Sequence, residues 1–257
     1  MRSALRLVYA GWLFQFKQMS RSSFDSFLAI LWPIFFATVA FFMFRQGGDP
    51  DSLIYAGLGA AVMGIWTATS VAAGSALQRE RWHGTLELLV ASPAHFSLVL
   101  LPVGLATSSI GVYCMATTLA WGKFVFGIDM TVDEPLLFAL AIPATLLSIG
   151  ALGFLIAVAF ARYRAAWSLG SLTEYPVWLI CGFLVPLTLL PGWVRPISWM
   201  LAPTWGMSAI RGAATGGAPW DDIAMCFVLA VAYVVIGVLL TNRVLHAARA
   251  KASLSLT

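Results

Sequence analysis

Very few side chains in this chain of 257 residues could perform acid–base, nucleophilic or metal chemistry. The histidines lie outside the long apolar runs and the cysteines lie inside them without a CxxC pair: His83, His95 and His246, and Cys114, Cys181 and Cys226. A metal centre or a catalytic site needs several such groups to converge. Glu174 lies deep in an apolar run that contains no second carboxylate and no histidine. We therefore expect no catalytic residue and no metal ligand set on this chain, which argues against a membrane-embedded enzyme.

Glu174 indicates either a substrate pathway or a structural hydrogen bond. It follows Arg164 by ten residues, which is about 15 Å along a helix. A carboxylate near the centre of a bilayer costs about 3 kcal/mol, so it should face a bundle interior or a wet cavity, or be protonated. One interpretation is contact with a cationic or hydroxyl-bearing substrate at a subunit interface. The other is a hydrogen bond to a neighbouring helix or to a residue of its own helix, namely Ser168, Ser171 or Thr173.

Aromatic residues could line the same pathway. The first long apolar run is rich in phenylalanine, and the run that holds Glu174 also contains an indole and a phenyl ring. The candidates for a cavity that takes a lipophilic drug or a sugar chain are Phe35, Phe42, Trp178 and Phe183. Such residues also face lipid or pack inside helix bundles, and the sequence leaves that alternative open.

The composition defines the elements that must position these residues. Hydrophobic residues make up 60% of the chain and charged residues only 10%, against about 25% charged residues in soluble domains. A membrane-spanning helix needs about 20 mostly apolar residues. Six runs meet this requirement, at residues 25–45, 53–77, 97–122, 135–161, 166–189 and 222–244. We therefore predict an all-α integral membrane protein with six transmembrane helices, formed as a single domain over residues 1–257.

The positions of lysine and arginine predict the orientation of these helices. With a cytoplasmic N-terminus, eleven of the fifteen lie inside, and four lie outside: Arg45, Lys123, Arg195 and Arg211. Positive residues favour the cytoplasmic side of a membrane protein. The prediction is a multi-pass protein of the cell (cytoplasmic) membrane with both termini in the cytoplasm. The net charge of +4 then reflects topology, and the expected partner is the lipid bilayer rather than a nucleic acid.

Residues 1–24 predict an amphipathic helix in the membrane interface. The apolar positions repeat at helical spacing, as Leu5, Val8, Tyr9, Trp12, Leu13 and Phe16. Charged and amide residues lie on the other side, so the helix should rest along the interface rather than cross the bilayer. It could serve as an anchor, as a lever between a cytoplasmic partner and the first span, or as both.

Residues 190–216 predict a re-entrant helical hairpin on the external side. The segment is too apolar for a solvated loop, yet prolines interrupt it, so two short helical pieces near 192–200 and 204–213 fit its length. Its tryptophans favour the membrane interface, at Trp193, Trp199 and Trp205. The hairpin should enter the outer leaflet and return before the sixth span.

A charged island, residues 79–93, separates the second and third apolar runs. Thr85 can cap a short helix, Glu87 suits its first turn, and Pro93 ends it. An apolar stripe follows from Leu86, Leu89 and Val90. The helix could serve only the fold of its own chain, or it could present charges and an apolar edge to a partner at the cytoplasmic end of the bundle.

Two motifs of this chain resemble those of a known family. Arg79-Glu80-Arg81, followed by Gly84-Thr85-Leu86-Glu87-Leu88-Leu89 and Ser92-Pro93, is similar to the signature loop of permease subunits of type-2 ABC exporters, the ABC-2 family. Trp82 and His83 are additional relative to many members. Far along the chain, the family's late pattern of span, proline-rich hairpin, Pro-Thr and arginine is resembled by Gly182, Pro186, Leu190-Pro191, Pro203-Thr204 and Arg211. The resemblance covers essentially the whole chain.

The resemblance implies a dimer of permease subunits, identical or homologous, above two ABC ATP-binding subunits. The island is then the cytoplasmic coupling helix, and the residues that contact the ATPase are Arg79, Glu80, Arg81, Gly84, Thr85, Leu86 and Glu87. None of the three lysines of this chain lies in a G-x-x-x-x-G-K-[ST] phosphate loop. We therefore expect the separate partner to bind ATP and Mg, with no cofactor on this chain.

Within the family, the Gly-Thr-Leu-Glu pattern of the island looks most like drug-efflux members. It implies ATP-driven export of a lipophilic or amphipathic, drug-like compound. Export of a lipid-linked polysaccharide or another lipid is the alternative within the family. An ion-coupled transporter or channel is a further alternative, because a buried carboxylate can carry a proton. The lack of an apparent inverted repeat argues against it.

Overall fold

The computed structural model describes residues 2–21, 23–45, 50–82, 84, 95–128, 132–160 and 166–251. Over these ranges the chain is helical apart from turns and short extended segments, and it contains no strand. The helices are α1 Arg2–Arg21, α2 Ser23–Arg45, α3 Pro50–Trp82, α4 Ser97–Phe126, α5 Pro135–Phe160, α6 Ala166–Ile180, α7 Val194–Trp199, α8 Ala202–Ala214 and α9 Trp220–Lys251, with a 3₁₀ turn at Leu187–Leu189. The prediction of an all-α fold is confirmed for these residues.

Four helices in the described ranges are long and apolar enough to cross a membrane. Their apolar stretches are Leu53–Val71, Ser97–Phe126, Pro135–Ala159 and Trp220–Arg243. The apolar stretch described in α2 is shorter, Pro33–Met43. α6 has only 15 residues, which is about 22 Å, against a hydrocarbon core of about 30 Å. Four of the predicted spans thus have helices that fit, and the count of six stays a prediction.

α3 lies at the centre of the bundle. It packs along α2, α4 and α6, and it also touches α5 and α8. Its inward face contributes large, fully buried side chains such as Val62, Ile65 and Trp66. Small residues let other helices approach closely, since a Cβ on Gly111 of α4 would lie 2.6 Å from the Cα of Ile65. Glycine and alanine therefore set the distance between the central helices.

A second group, formed by α5, α8 and α9, packs beside α3 and α4. α5 lies between α9 and α4, and α8 rests on α5 and α9. α4 and α5 meet at two glycines, because a Cβ on Gly104 would overlap the carbonyl of Gly150. α6 does not belong to this group, since it packs mainly on α3 and touches α5 only slightly. The connection between α6 and α8 therefore depends on few side chains.

The two ends of the bundle carry different elements. The backbone N–H groups of Asp133 and Glu134, just before α5, donate to carbonyls at the end of α8. We call this the hairpin end, which also contains the starts of α3 and α9. The island end contains the last residue of α3, Trp82, and the first of α4, Ser97. The described start of the island, at the end of α3, and the hairpin segment thus lie at opposite ends of α3, as the predicted topology requires.

α1 packs against the half of α4 that is nearer the island end. The indole N–H of Trp12 donates to the hydroxyl of Ser109 at 3.1 Å. The predicted N-terminal helix is present, but its apolar stripe is only partly covered, since Leu5 and Tyr9 are exposed. Two exposed apolar side chains on this helix support contact with lipid, and its position in the interface stays a prediction.

The predicted span 166–189 is wrong as one continuous helix, because α6 ends at Ile180. Gly182 has a φ of 76°, the left-handed conformation with which many helices end. Pro186 and the 3₁₀ turn Leu187–Leu189 follow. Apolar composition alone does not predict that the helix ends here and that the chain turns.

The two predicted helical pieces of the hairpin segment are present as α7 and α8. The turn between them is stabilised from both sides, since the hydroxyl of Thr204 donates to the carbonyl of Ser198 at 2.7 Å. The hydroxyl of Tyr233 on α9 donates to the carbonyl of Met200 at 2.6 Å and accepts from the backbone N–H of Ala202 at 3.1 Å. Side chains therefore satisfy backbone groups that a helix would satisfy by itself.

The position of Tyr233 shows how far this turn extends along the bundle. Tyr233 follows Trp220, the start of α9, by about 20 Å at about 1.5 Å per residue. A turn that reaches so far from the hairpin end supports a hairpin that enters the membrane and returns. The placement of the hairpin in a bilayer stays a prediction.

Candidate functional site

Glu174 on α6 is a buried carboxylate that faces α3. Its side chain is 8% exposed, and Oε1 accepts a hydrogen bond of 2.7 Å from the hydroxyl of Thr67. Among the candidate donors within α6, Thr173 bonds instead to the carbonyl of Gly170. The structure therefore shows a hydrogen bond to a neighbouring helix, which is one of the two interpretations of Glu174 made from the sequence. A carboxylate has about four acceptor positions, so this bond leaves capacity for a ligand.

An aromatic row lies beside Glu174 and joins α2 to α6. Trp178, one helical turn after Glu174, meets Phe36 at 4.9 Å and Tyr175 at 5.2 Å between ring centroids, both edge to face. Phe36 in turn meets Phe35 at 5.7 Å. We call these four residues the aromatic row. Edge-to-face contacts of this kind favour a fixed arrangement of the rings.

Two indoles have buried N–H groups without a hydrogen-bond partner among the residues that the structure describes. They belong to Trp66, which precedes Thr67 on α3, and to Trp178 of the aromatic row. A buried donor without an acceptor costs about 1–3 kcal/mol. Trp178 lies one helical turn from Glu174, so its unpaired donor is on the same helix face as the carboxylate.

The structure separates the other predicted pathway residues from this place. Phe42 lies further along α2 and packs on Phe126 of α4 at 5.3 Å. Phe183 is fully buried at the hairpin end, against α3. Glu174, Phe35 and Trp178 are thus brought together, whereas Phe42 and Phe183 contact different parts of the bundle.

The aromatic row belongs to an exposed apolar face formed by α2 and α6. Phe35 and Tyr175 are 57% and 60% exposed, although both lie in apolar helices. The aliphatic members of this face are Leu31, Val39, Leu172 and Leu179. A second exposed side, on α9, is mainly aliphatic, with Phe227, Val228, Val231, Val235, Ile236 and Leu239. Of these two faces, only the first has an aromatic row with a buried carboxylate on the same helix.

Arg211 on α8 holds three segments together at the hairpin end. Its Nη1 donates to the carbonyl of Gly182 at 2.7 Å, and its Nη2 donates to those of Phe183 and Tyr55 at 2.8 and 3.3 Å. Its Cζ lies 3.2 Å from the centroid of the Tyr55 ring, whose hydroxyl donates to Gly182 at 2.9 Å. We call this set the arginine clamp. It supplies donors to carbonyls beyond the end of α6, which lipid could not satisfy.

Sequence reasoning found these contacts only in part. It counted Arg211 as an external charge, and it singled out neither Thr67 nor Tyr55. The signal for Arg211 is that it is one of only two cations, with Arg195, in an apolar, proline-rich segment. No local pattern identifies the other two, because their partners Glu174 and Arg211 lie 107 and 156 residues away.

The charged island begins as the last turn of α3. Three predicted coupling residues belong to that turn, Arg79, Glu80 and Arg81. Gly84 is exposed in a turn with a φ of 68°, which favours glycine. The remaining ones, Thr85, Leu86 and Glu87, lie outside the described residues, as does His83. The first charges of the island are therefore placed by a long helix rather than by a loop.

Metal and thiol chemistry receive no support from the part of the chain described here. No three His, Cys, Asp or Glu residues come together there as metal ligands. The thiols of Cys114, Cys181 and Cys226 are free and buried. The structure has two notable features. One is a buried carboxylate beside an aromatic row, and the other is a charged helix end at the opposite end of the bundle from the helical hairpin.

These features define a polytopic helical membrane protein with a polar site inside its apolar region. Residues 6–215 match the ABC-2 type transporter family, and the chain belongs to that family. It is the membrane component, or permease, of an ABC transporter, which implies an ATP-binding partner. A search of curated proteins gives no match to the chain. The resemblance drawn from the island and hairpin motifs is confirmed at the level of the family, and its drug-efflux specificity stays a prediction.

Proposed function

We propose that this chain is the permease subunit of an ATP-driven exporter that moves a lipophilic or amphipathic, drug-like compound out across the cytoplasmic membrane. The observation that carries the proposal is the family match over residues 6–215, a range that includes Glu174 and the arginine clamp. Because no lysine of this chain lies in a phosphate loop, a separate ABC subunit binds ATP and Mg and supplies the energy.

The island end of α3 is the docking point for the ATP-binding subunit. α3 has 33 residues and is about 50 Å long, whereas a bilayer with its headgroups is about 40–45 Å thick. The predicted apolar run ends at residue 77, so Arg79, Glu80 and Arg81 lie on a helical extension beyond it. A continuous helix with no internal proline transmits a displacement of its tip to its apolar part. This supports coupling through the island.

The second permease subunit, identical or homologous, packs against the exposed face of α2 and α6. Polar residues inside a membrane face other helices or a cavity. Of the two exposed faces among the described residues, this one belongs to the helix that holds the buried Glu174, whereas the mainly aliphatic side of α9 suits lipid. Two such faces opposite each other enclose a pathway between the subunits. The island and both termini are then cytoplasmic, and the hairpin end is external.

The pathway favours a substrate with a positive or hydroxyl-bearing group on an apolar body. Thr67 gives Glu174 a neutral hydrogen bond, so an ionised carboxylate keeps its charge for a cation. The exposed rings of Phe35 and Tyr175 can stack on a flat or cationic ligand. A polyhydroxylated chain would use the same groups, which is why export of a lipid-linked polysaccharide remains the alternative.

Glu174→Gln is expected to lower export of a lipophilic cation about tenfold or more, with little effect on folding. Glutamine keeps an oxygen that accepts from Thr67 and removes only the charge. The loss of a charged contact worth about 1.5–3 kcal/mol corresponds to at least that factor. Export is measured in proteoliposomes with ATP, using a fluorescent lipophilic cation and a neutral compound of similar size. Thr173→Val, which alters a bond within α6, is the control. Unchanged export of every compound would remove Glu174 from the pathway.

The proposed function is tested by purifying the chain with an ATP-binding subunit encoded in the neighbouring reading frame. Reversing three island charges, with Glu80→Lys, Arg81→Glu and Glu87→Lys, is expected to lower complex formation or ATP-coupled export more than about tenfold, as loss of central interface contacts does. Arg195→Glu, at the exposed hairpin end, is the matched control. An intact complex with coupled export after all three changes would contradict the coupling assignment.

The same preparation separates the alternatives. ATP-dependent movement of a lipid or a lipid-linked polysaccharide, without movement of drug-like compounds, would keep the mechanism and change the substrate class. Movement driven by a proton gradient without ATP would instead identify an ion-coupled transporter in which Glu174 carries the proton.

A further inference from the structure

The arginine clamp forms part of the wall of a cavity at the hairpin end. The cavity has a volume of about 410 Å³ and lies between α3, α8, the start of α9 and the segment after α6. Tyr55, Arg211 and Asp222 all line it. Asp222, in the first turn of α9, accepts a hydrogen bond of 2.8 Å from the hydroxyl of Ser208. Ser208 and Arg211 are three residues apart on α8 and therefore lie on the same side of this helix.

In the clamp, the guanidinium of Arg211 bonds only to neutral groups. Its described partners are three carbonyls and the ring of Tyr55, and its Nε has no hydrogen-bond partner in the described ranges. A carboxylate is a stronger partner for a guanidinium than a carbonyl is. Asp222 offers one on the wall of the same cavity. The cavity therefore contains two sets of groups that Arg211 could bind: the carbonyls of the clamp and the carboxylate of Asp222.

The clamp also lies where two packed groups of helices meet. α6 packs mainly on α3, whereas α8 packs on α5 and α9. A displacement of α3 together with α6 relative to the hairpin must change the contacts of Arg211 with Tyr55, Gly182 and Phe183. Packed groups of this kind move between discrete arrangements rather than deform continuously.

We propose that Arg211 is a two-position latch for the hairpin end: it binds the carbonyls of Gly182 and Phe183 when this end is closed, and it pairs with Asp222 when the end opens. The inference rests on the proposed function, because ATP hydrolysis at the island end supplies the displacement of α3. Arg211 acts here as a positioning residue, and it does not contact the substrate.

Entry of water into the cavity distinguishes the open position of Arg211 from the closed one. When Arg211 leaves, the carbonyl of Phe183 loses its donor and that of Gly182 keeps only the hydroxyl of Tyr55. This loss is costly in an apolar environment and tolerated in a wet cavity. Entry of water also satisfies the end of α6 after release. Release of the latch and hydration of the cavity therefore occur together, and hydration provides the measurable signal.

Cys181 reports on hydration, because it lines the cavity and is 1% exposed. The chain, with Cys114→Ser and Cys226→Ser, is reconstituted with its ATP-binding subunit, and a membrane-impermeant maleimide is added on the hairpin side. In this parent, we expect alkylation of Cys181 to be slow without nucleotide and about tenfold faster during ATP turnover, a ratio typical of losing one hydrogen bond to a charged group.

Two classes of variants should respond in opposite ways. Asp222→Asn removes the open position, so alkylation should stay slow with ATP, whereas Asp221→Asn, the exposed neighbour, should behave as the parent. Arg211→Gln removes the closed position, so alkylation should be fast without ATP. Tyr55→Leu weakens the closed position, keeps Arg211, and serves if Arg211→Gln does not fold. The latch is overturned if Asp222→Asn keeps the response to ATP, or if both closed-position variants are as slow as the parent.

Failure of the proposed function gives a different result. If the chain forms no complex with the ATP-binding subunit, the proposed function fails. The alkylation rates of the Tyr55 variants and the parent without nucleotide still test whether Arg211 holds this end closed. Faster alkylation of Tyr55→Leu than of Tyr55→Phe, which keeps the ring under the guanidinium, supports the closed position of Arg211. Equal rates in these two variants and the parent overturn it.

Discussion

Gly59→Val is expected to lower the stability of the folded chain markedly and to reduce the yield of folded protein. A Cβ at this position of α3 would overlap the carbonyl oxygen of Phe183 and lie 3.0 Å from its carbonyl carbon. These atoms are backbone, and the oxygen also accepts from Arg211, so they cannot move aside cheaply. Overpacking typically costs about 1–3 kcal/mol, and we expect the upper end of this range.

The measurement is the yield of monodisperse protein in detergent, together with its thermal stability. Gly192→Val is the matched control, because nothing lies within 4 Å of a Cβ at that position. We expect the control to behave as the parent. If Gly59→Val gave the same yield and melting temperature as Gly192→Val, then α3 and the segment after α6 would not be in backbone contact.

Tyr233→Phe is expected to destabilise the fold by about 2–4 kcal/mol, although it removes only one oxygen atom. The hydroxyl of Tyr233 donates to the carbonyl of Met200 and accepts from the N–H of Ala202, at the turn between α7 and α8. Phenylalanine keeps the ring and leaves unpaired the buried N–H of Ala202 and the part-buried carbonyl of Met200, and a buried unpaired polar group costs about 1–3 kcal/mol. No other described group then bonds to these two backbone atoms of the turn, since water is scarce at the depth we propose.

Unfolding in mixed micelles measures the loss of stability, and hydrogen exchange at Ala202 locates it. Tyr113→Phe is the control, because Tyr113 is exposed on α4. A Tyr233→Phe variant as stable as Tyr113→Phe, with unchanged exchange at Ala202, would show that the hydroxyl does not hold the turn.

Hydropathy predicts most helices of this chain because lipid allows few other structures. The run 135–161 corresponds to α5, Pro135–Phe160, and the run 25–45 to α2, Ser23–Arg45. In an apolar solvent, a backbone that does not satisfy its own polar groups is costly, so an apolar run of sufficient length becomes a helix. Prolines then located the two pieces of the hairpin segment, because they exclude a single helix there.

The end of α6 could not be predicted in this way. The residues after Ile180 are as apolar as those before it, and the chain leaves the helix because other segments satisfy its carbonyls. The donors come from Arg211 and Tyr55, at separations of 29 and 127 residues from Gly182. A local pattern contains no information on contacts that far apart.

The sequence was enough to predict Glu174 as a candidate site residue, but not to predict which residues surround it. The cost of a carboxylate in a membrane singles out Glu174 from the sequence alone. Its partner Thr67 is one of many hydroxyl residues in the apolar helices, and only the packing of α6 on α3 selects it. The aromatic row likewise depends on how α2 and α6 meet, which no spacing within either helix determines.

The break after α6 has a consequence for the order in which this protein is built. Gly182 and Phe183 are synthesised before Arg211, by 29 and 28 residues respectively. Until α8 is present, the carbonyl of Phe183 lacks the donor that Arg211 supplies. A longer helix would not satisfy the carbonyl of Gly182, because the residue four positions later is Pro186, which has no N–H. A residue translated later thus satisfies the end of a helix translated earlier, and the fold of this segment is completed only after its synthesis.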